Sequence, residues 1–247
     1  MILFLTSSPT GDLDGSYSCD GLDTRNGFVD NLREVWPEDA RVLMITASPD
    51  DDEANEEMYD YFYEAILKTG LSCSEMELWD SHVFEGEGIY SKENLHSYDV
   101  IILGGGHVPT ENDFFHGLNL RENIKGFEGI VIGISAGTMN CADVVYAQPE
   151  EPGEAVDPNY QRFITGLGLT DVNVLPHYQI VCDNYLDGLH LYDDIALPDS
   201  FGRQFLALPD GSYVVEFEDE TIIFGHAILV EDGQMTVINR DGEILNV

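Results

Sequence analysis

Residues 129–137 are Gly-Ile-Val-Ile-Gly-Ile-Ser-Ala-Gly, and this stretch decides the fold. Its first half is a short run of β-branched apolar residues, which is typical of a buried strand in a parallel sheet. Its second half, Gly133-Ile134-Ser135-Ala136-Gly137, is a G-x-S-x-G pattern, in which small neighbours let a serine occupy a sharp strand-to-helix turn. Such a turn exposes the hydroxyl and points the free N–H groups of the following helix at the same place. The stretch therefore predicts Ser135 as a nucleophile at the end of a strand.

Strands and helices are predicted to alternate on both sides of this stretch. Apolar runs predict strands at 2–8, 41–47, 73–79, 99–103 and 172–175. Helical spacing of apolar residues predicts helices at 25–35, 50–70, 110–125 and 136–145. This alternation predicts an α/β fold, a mostly parallel sheet with helices on both faces. Functional groups should gather at the carboxyl ends of the strands, where Gly104–Gly106 and Ser135 both lie.

The last 45 residues change in character. Short β-type runs occur at 205–208, 213–218, 221–224, 227–231 and 235–239. Asp-Gly pairs between or after these runs are typical of hairpin turns. We expect a β-meander that closes the edge of the same domain. The irregular, proline-containing segment 147–168 is interpreted as a loop, so the whole chain, 1–247, is expected to form a single domain.

Charge restricts the possible partners. The chain has 47 Asp and Glu against 10 Lys and Arg, a formal net charge of −37. This argues against nucleic acid and against anionic membranes as partners. The simplest interpretation is a solvated acidic surface, and an anionic ligand would need a local basic pocket.

No apolar run approaches the roughly 18–20 residues of a membrane span. The first nine residues lack the basic leader and cleavage site of a signal peptide, so a cytoplasmic protein is expected. The four cysteines show no C-x-x-C spacing and are expected to be reduced thiols. The loop at 10–16 has an aspartate spacing that resembles a calcium loop, but no glutamate closes it. We predict neither a metal nor a cofactor.

A serine hydroxyl needs a base to take its proton. Among the seven histidines, His177 is best placed, because it follows a predicted strand and a proline in a loop that could reach the same end of the sheet. His107 comes directly after the triple glycine and is a candidate substrate contact. Acyl transfer also needs donors for an oxyanion. The N–H of Ala136 is one natural donor, and the amides of Gly105 and Gly106 could supply another.

Taken in order, Gly104-Gly105-Gly106, the Ser135 motif and Gly166-Leu167-Gly168-Leu169 leading to Pro176-His177-Tyr178 resemble the S51 serine peptidases. That family contains dipeptidase E (aspartyl dipeptidase) and cyanophycinase. The resemblance runs from the first strand to the Asp210-Gly211 turn. It implies a fold like that of class I glutamine amidotransferases, with serine in place of the nucleophilic cysteine. It also implies Ser135 as nucleophile and His177 as base.

The resemblance further implies a triad acid fifteen residues after the serine, which is Glu150 here. Three other acids of the same loop remain open for this role: Glu151, Glu154 and Asp157. The chain departs from the family after the triple glycine, where His107-Val108-Pro109-Thr110 replaces the usual Asn followed by a small or aromatic residue. Residues 11–24 also look like an insertion. Both departures bear on the substrate pocket.

The resulting hypothesis is a serine peptidase of dipeptidase E type that cleaves short peptides with an acidic N-terminal residue. The substrate carboxylate would need a cation, and Arg162 and Arg203 are candidates because they flank His177 in sequence. One alternative is an isopeptidase acting on an aspartyl-linked polymer, as cyanophycinase does. Another is a binding or sensing module that kept the fold and lost turnover. A monomer or a homodimer is expected.

Overall fold

The computed structural model describes residues 1–10, 21–86 and 88–247. Most of the expected loop at 10–16 and of the expected insertion at 11–24 lies outside these residues, as does Cys19. The remaining cysteines, Cys73, Cys141 and Cys182, are free thiols. None of the helices in these three segments has the length and apolar character needed to cross a bilayer.

The strands and helices are numbered here in chain order. The strands are β1 (Ile2–Thr6), β2 (Ala40–Ile45), β3 (Cys73–Trp79), β4 (Val100–Leu103), β5 (Ile130–Ile134), β6 (Val144–Tyr146), β7 (Phe163–Thr165), β8 (Val174–Leu175), β9 (Tyr185–Leu186), β10 (Leu189–His190), β11 (Gln204–Ala207), β12 (Tyr213–Phe217), β13 (Glu220–Phe224), β14 (Ala227–Glu231), β15 (Gln234–Asn239) and β16 (Ile244–Asn246). The α-helices are α1 (Phe28–Val35), α2 (Asp52–Thr69), α3 (Lys92–Leu95), α4 (Val108–Gly117), α5 (Leu120–Asn123), α6 (Ala136–Asn140), α7 (Tyr178–Val181) and α8 (Leu197–Asp199). Single 3-10 turns occur at Arg25–Gly27 and Ser81–Glu85, and a π-helical turn occurs at Leu191–Ala196.

A large sheet forms the centre of the molecule, and within the described residues it has eight strands in the order β16-β13-β12-β1-β5-β4-β2-β3. The five strands from β1 to β3 in this order are parallel, and β12, β13 and β16 are antiparallel additions at the β1 edge. All five residues of β5 are buried, and β5 pairs with β1 on one side and β4 on the other. Burial on both faces explains its uninterrupted apolar sequence. The predicted α/β class is therefore confirmed.

A second sheet has the order β15-β14-β11-β8. The C-terminal strands are thus divided between two sheets instead of forming one continuous meander, although β12 and β13 do close the edge of the large sheet. The division occurs because β11 pairs in parallel with β8, while β12 pairs with β1. The short link between β11 and β12, which contains Asp210 and Gly211, therefore connects the two sheets.

Two predicted helices are shorter than expected. The segment 110–125 forms α4 and α5, with a break at Asn119, whose φ is 50°. The segment 136–145 forms only α6, because Val144, Val145 and Tyr146 turn back as a strand that pairs with β7. Branched and aromatic side chains suit that pairing better than a helix. Strand β7 itself lies in the segment expected to be a loop.

Helix α6 is tied to β1 by the side chain of Thr138. Its Oγ1 donates to the Thr6 carbonyl over 2.8 Å and accepts from the Thr6 N–H over 3.0 Å. Both residues are fully buried. A pair of buried hydrogen bonds to backbone groups therefore fixes the start of α6, and with it the turn at Ser135, against the end of β1.

We expect Thr138→Val to lower the free energy of unfolding by about 1–3 kcal/mol, because it keeps the shape but leaves the Thr6 N–H buried without an acceptor. Thr138→Ser is the matched control, since it keeps the hydroxyl and removes only a methyl group. Urea unfolding of the three proteins measures the difference. Equal stability of the parent and Thr138→Val would contradict this role of the hydroxyl.

Candidate active site

Ser135 lies between β5 and α6 in a strained conformation, with φ 50° and ψ −110°. Strain of this kind is typical of a nucleophile held on a sharp strand-to-helix turn. The Gly137 N–H donates to the Gly104 carbonyl over 2.9 Å, and any Cβ at position 137 would collide with the Leu103 carbonyl. The glycine of the motif thus allows α6 to start directly against the end of β4.

A polar contact holds α6 to α4 below this turn. The Asn140 side chain donates to the Glu111 carboxyl group over 2.9 Å, and both residues are fully buried. Burial raises the pKa of Glu111 well above its usual range, although the hydrogen bond from Asn140 acts in the opposite direction. Burial therefore favours the neutral form of Glu111, which forms a structural contact between α4 and α6.

His177 comes directly after β8 and Pro176 and has a left-handed backbone, with φ 55° and ψ 33°. Its Nε2 is 2.9 Å from the Ser135 hydroxyl oxygen. Its Nδ1 is 2.7 Å from Oδ1 of Asp210, and its backbone N–H donates to the Ser7 hydroxyl over 2.7 Å. The ends of β1, β5 and β8 therefore meet at one imidazole ring.

Asp210 is nearly buried, and its side chain is 5% exposed. Its carboxylate accepts hydrogen bonds from the Ser7 hydroxyl over 2.6 Å and from the Gln179 side-chain amide over 2.7 Å, in addition to His177. Burial raises the pKa of this group, but the hydrogen bonds from His177, Ser7 and Gln179 and the charge of His177 outweigh it, so that the pKa is lowered. An ionised Asp210 accepts a hydrogen bond from Nδ1–H of His177, which leaves Nε2 free to accept a hydrogen bond from the Ser135 hydroxyl.

The expectation that Glu150 orients the histidine is not met by this geometry. Nδ1 of His177 contacts Asp210, and no carboxylate of Glu150, Glu151, Glu154 or Asp157 hydrogen-bonds to His177 within the described residues. The reason is topological, because the turn between β11 and β12 passes beside His177. The signal in the sequence was an acid after a strand, but the Asp210-Gly211 pair was interpreted only as a hairpin turn.

The loop that carries Glu150 is anchored elsewhere. Glu154 Oε1 lies 2.8 Å from Nε2 of His107, and Glu154 Oε2 accepts from the backbone N–H groups of Glu150 and Glu151. Nδ1 of His107 is 2.8 Å from the Thr110 hydroxyl. His107 thus holds the acidic loop beside the glycines that precede it.

Gly105 lies against the serine, since a Cβ at this position would be 3.3 Å from Cβ of Ser135. The N–H groups of Gly105 and Gly106 form no hydrogen bond within the described part of the chain. Ala136 begins α6, so its N–H has no acceptor inside the helix. These three donors therefore remain available around Ser135.

Each predicted arginine contacts another side chain of the protein. The Arg162 guanidinium pairs with Asp199 over 2.7 Å, and the Arg203 guanidinium stacks on the Phe163 ring at 4.1 Å from its centre. Arg25 instead lies beside Asp210, the carboxylate that bonds to His177. It is paired with Asp23 through Nε over 2.8 Å, and its guanidinium carbon packs over Gly211, 2.5 Å from the point where a Cβ would be.

Comparisons with known proteins give a family and solved structures of similar fold. The model of peptidase family S51 matches residues 23–238. No curated protein sequence gives a significant match. Among solved structures, a peptidase from an acI-B1 Actinobacterium has a TM-score of 0.65 at 16% identity, with 100% of this chain and 96% of that chain covered. A candidate peptidase E from Listeria monocytogenes EGD-e has a TM-score of 0.55 at 18% identity, with 96% of this chain and 98% of that chain covered.

We expect Asp210→Asn to destabilise the protein by about 1–3 kcal/mol at pH 6, because an ionised acceptor of three hydrogen bonds is lost. A carboxylate whose pKa is lowered by folding stabilises the protein above its unfolded pKa, and this contribution is lost as the pH falls through the folded pKa. The difference between parent and variant should therefore shrink below about pH 4. Urea unfolding of both proteins between pH 7 and pH 3 measures it, and a constant difference would contradict the assigned ionisation.

Proposed function

The chain belongs to peptidase family S51 and is a serine-type peptidase, and we propose that it hydrolyses short peptides through a Ser135–His177–Asp210 triad. The observation that carries the proposal is the continuous set of hydrogen bonds from the Ser135 hydroxyl through the imidazole to a buried carboxylate, with lengths of 2.9 and 2.7 Å. A nucleophile, a base and an orienting acid in this order form the general arrangement for activating serine.

In the proposed mechanism, Oγ of Ser135 attacks the carbonyl carbon of the scissile peptide bond while Nε2 of His177 takes the hydroxyl proton. Asp210 stabilises the resulting imidazolium and stays ionised. The oxyanion is stabilised by the N–H groups of Ala136 and of Gly105 or Gly106. The imidazolium then gives its proton to the leaving amine, and the C–N bond breaks to leave an acyl-enzyme. A water molecule, deprotonated by His177, releases the acid product and restores Ser135.

The proposed substrate is a short peptide with an acidic N-terminal residue, as the resemblance to dipeptidase E implies. In a protein with a net charge of −37, an anionic side chain needs a cation close to the site. Arg25 is also paired, with Asp23 through Nε and Nη2, but it lies next to Asp210, and we assign the binding of this anionic side chain to Arg25 for that reason. Its Nη1 forms no hydrogen bond within the described residues, and its guanidinium packs beside Gly211, next to the triad acid.

Ser135→Ala and His177→Ala should each reduce peptide hydrolysis by roughly a thousandfold or more, and the double variant should be little worse, because triad members act as one unit. Asp210→Asn should reduce peptide hydrolysis by a similar factor, whereas Glu150→Gln should retain the proton transfer from Ser135 to His177. Rates of peptide hydrolysis measure the five variants, and labelling of the parent and of His177→Ala with a serine-directed fluorophosphonate tests whether the reactivity of Ser135 depends on His177. Labelling that is independent of His177 would contradict the mechanism and favour a binding module without turnover.

Arg25→Leu should lower kcat/KM for Asp-Leu by about 10–100-fold relative to Ala-Leu, since a hydrogen bond to a charged group contributes about 1.5–3 kcal/mol. Comparing the two dipeptides cancels any disturbance of the triad. Arg33→Leu is the control, because that side chain is exposed and bonds to Asp30 and to the Thr69 carbonyl.

If the parent cleaves Asp-Leu and Ala-Leu equally well and Arg25→Leu changes neither, the acidic preference is wrong. Cleavage of an aspartyl-linked polymer in place of both dipeptides would favour the isopeptidase alternative.

A further inference from the structure

The segment from Glu150 to Ala155 is held in a defined position next to the triad. Besides the contacts of Glu154 described above, the Asp187 carboxylate accepts from the N–H groups of Gly153, over 2.9 Å, and of Ala155, over 3.2 Å. The segment is thus anchored through Glu154 to His107 and through Gly153 and Ala155 to the turn after β9. Its acidic side chains are therefore held at the side of the site that the glycines Gly104–Gly106 line.

Within the described residues, the carboxylate of Glu150 forms no hydrogen bond and no ion pair. Two of the other acids around the site are occupied, whereas the carboxylate of Glu151 lies within 4.8 Å of the side chains of His107 and Glu154. Asp210 binds His177, Ser7 and Gln179, and Glu154 binds His107 and two backbone amides. Glu150 is therefore a carboxylate near His107 and His177 that has no hydrogen-bond or ion-pair partner among the described residues.

Several charged or titratable groups surround this carboxylate. Two of them, His107 and His177, favour its ionised form, and two acids of its own loop, Glu151 and Glu154, oppose it. Glu111 on α4 and Tyr160 also interact with it. The side chain reaches solvent, but the protein around it removes much of its water, and this desolvation raises the pKa of Glu150 to about 7. A cation beside it would relieve this cost.

We propose that Glu150 binds the free N-terminal ammonium group of the peptide substrate and so restricts the enzyme to cleavage after the first residue. This inference rests on the proposed function. In a peptide cut after its first residue, a single carbon separates the ammonium nitrogen from the carbonyl carbon that Ser135 attacks. An anion that recognises the ammonium must therefore lie beside the triad without being part of it. Glu150 meets both conditions.

The pairing also predicts a pH dependence with a definite sign. The ammonium of a peptide loses its proton near pH 8, and Glu150 gains one below about pH 7. The ammonium group and the Glu150 carboxylate are therefore both charged mainly between about pH 7 and pH 8. KM for a substrate with a free amine should therefore rise as the pH falls from 7.5 to 6, whereas KM for the same substrate with an acetylated amine should not follow this rise.

The test uses Asp-p-nitroanilide and N-acetyl-Asp-p-nitroanilide, which share the scissile bond and the leaving group. The parent should prefer the free amine by about 10–100-fold in kcat/KM, the size expected for a hydrogen bond between charged groups. Glu150→Gln should reduce this preference to within about threefold, mainly through KM, and Glu150→Asp should retain part of it. The control is Glu151→Gln, which removes a neighbouring exposed carboxylate and should keep the parent's preference.

An equal rate for both substrates with the parent enzyme would overturn the inference without any variant. An equal loss of preference in Glu150→Gln and Glu151→Gln would overturn the assignment to Glu150. If the proposed function itself is wrong, the result is different: either the parent cleaves neither anilide, or Ser135→Ala cleaves both. In that case the inference about Glu150 is wrong as well.

Discussion

The carboxylate of Asp210 is the group on which the arrangement of the site depends. It binds the imidazole of His177, the hydroxyl of Ser7 and the side-chain amide of Gln179. Because Asp210 is nearly buried, each of these hydrogen bonds forms in a medium where an unpaired charge would be costly. The carboxylate therefore joins the end of β1, the segment after β8 and the link between β11 and β12. It also connects the two sheets at the place where the half-buried Ser135 lies.

The second constraint is the close approach of α6 to the parallel strands. Thr138 bonds to the N–H and the carbonyl of Thr6, and Gly137 lets the helix begin against the Leu103 carbonyl. The strained backbone of Ser135 persists because these contacts on both sides determine its position. The same packing leaves the Ala136 N–H directed away from the helix, beside the serine. Stability of the fold and orientation of the nucleophile thus depend on the same few contacts.

The charges near the site differ in kind from the acidic surface. Most of the 47 acids lie where water and salt screen them, so a net charge of −37 has little influence on the chemistry at a few ångströms. Asp210 is ionised because three donors surround it, whereas the pKa of Glu150 is raised mainly because the surrounding protein desolvates its carboxylate. Two carboxyl groups of similar chemistry can therefore have different roles in one small site: Asp210 orients His177, and Glu150 binds the substrate.

The sequence by itself determined the features that depend on neighbouring residues. The apolar run 130–134, the small residues around Ser135 and the proline before His177 are local signals, and they correctly predicted a parallel α/β sheet and directed attention to both residues. The tertiary structure alone decided which acid meets the imidazole. Asp210 is 33 residues away from His177 and reaches it only because β11 pairs with β8 while β12 crosses to β1. Arg162 and Arg203 also flank His177 in sequence, but Asp199 and Phe163 hold them. Spacing along the chain encodes turns and helices, whereas the partner of a charged side chain depends on strand pairings between distant segments.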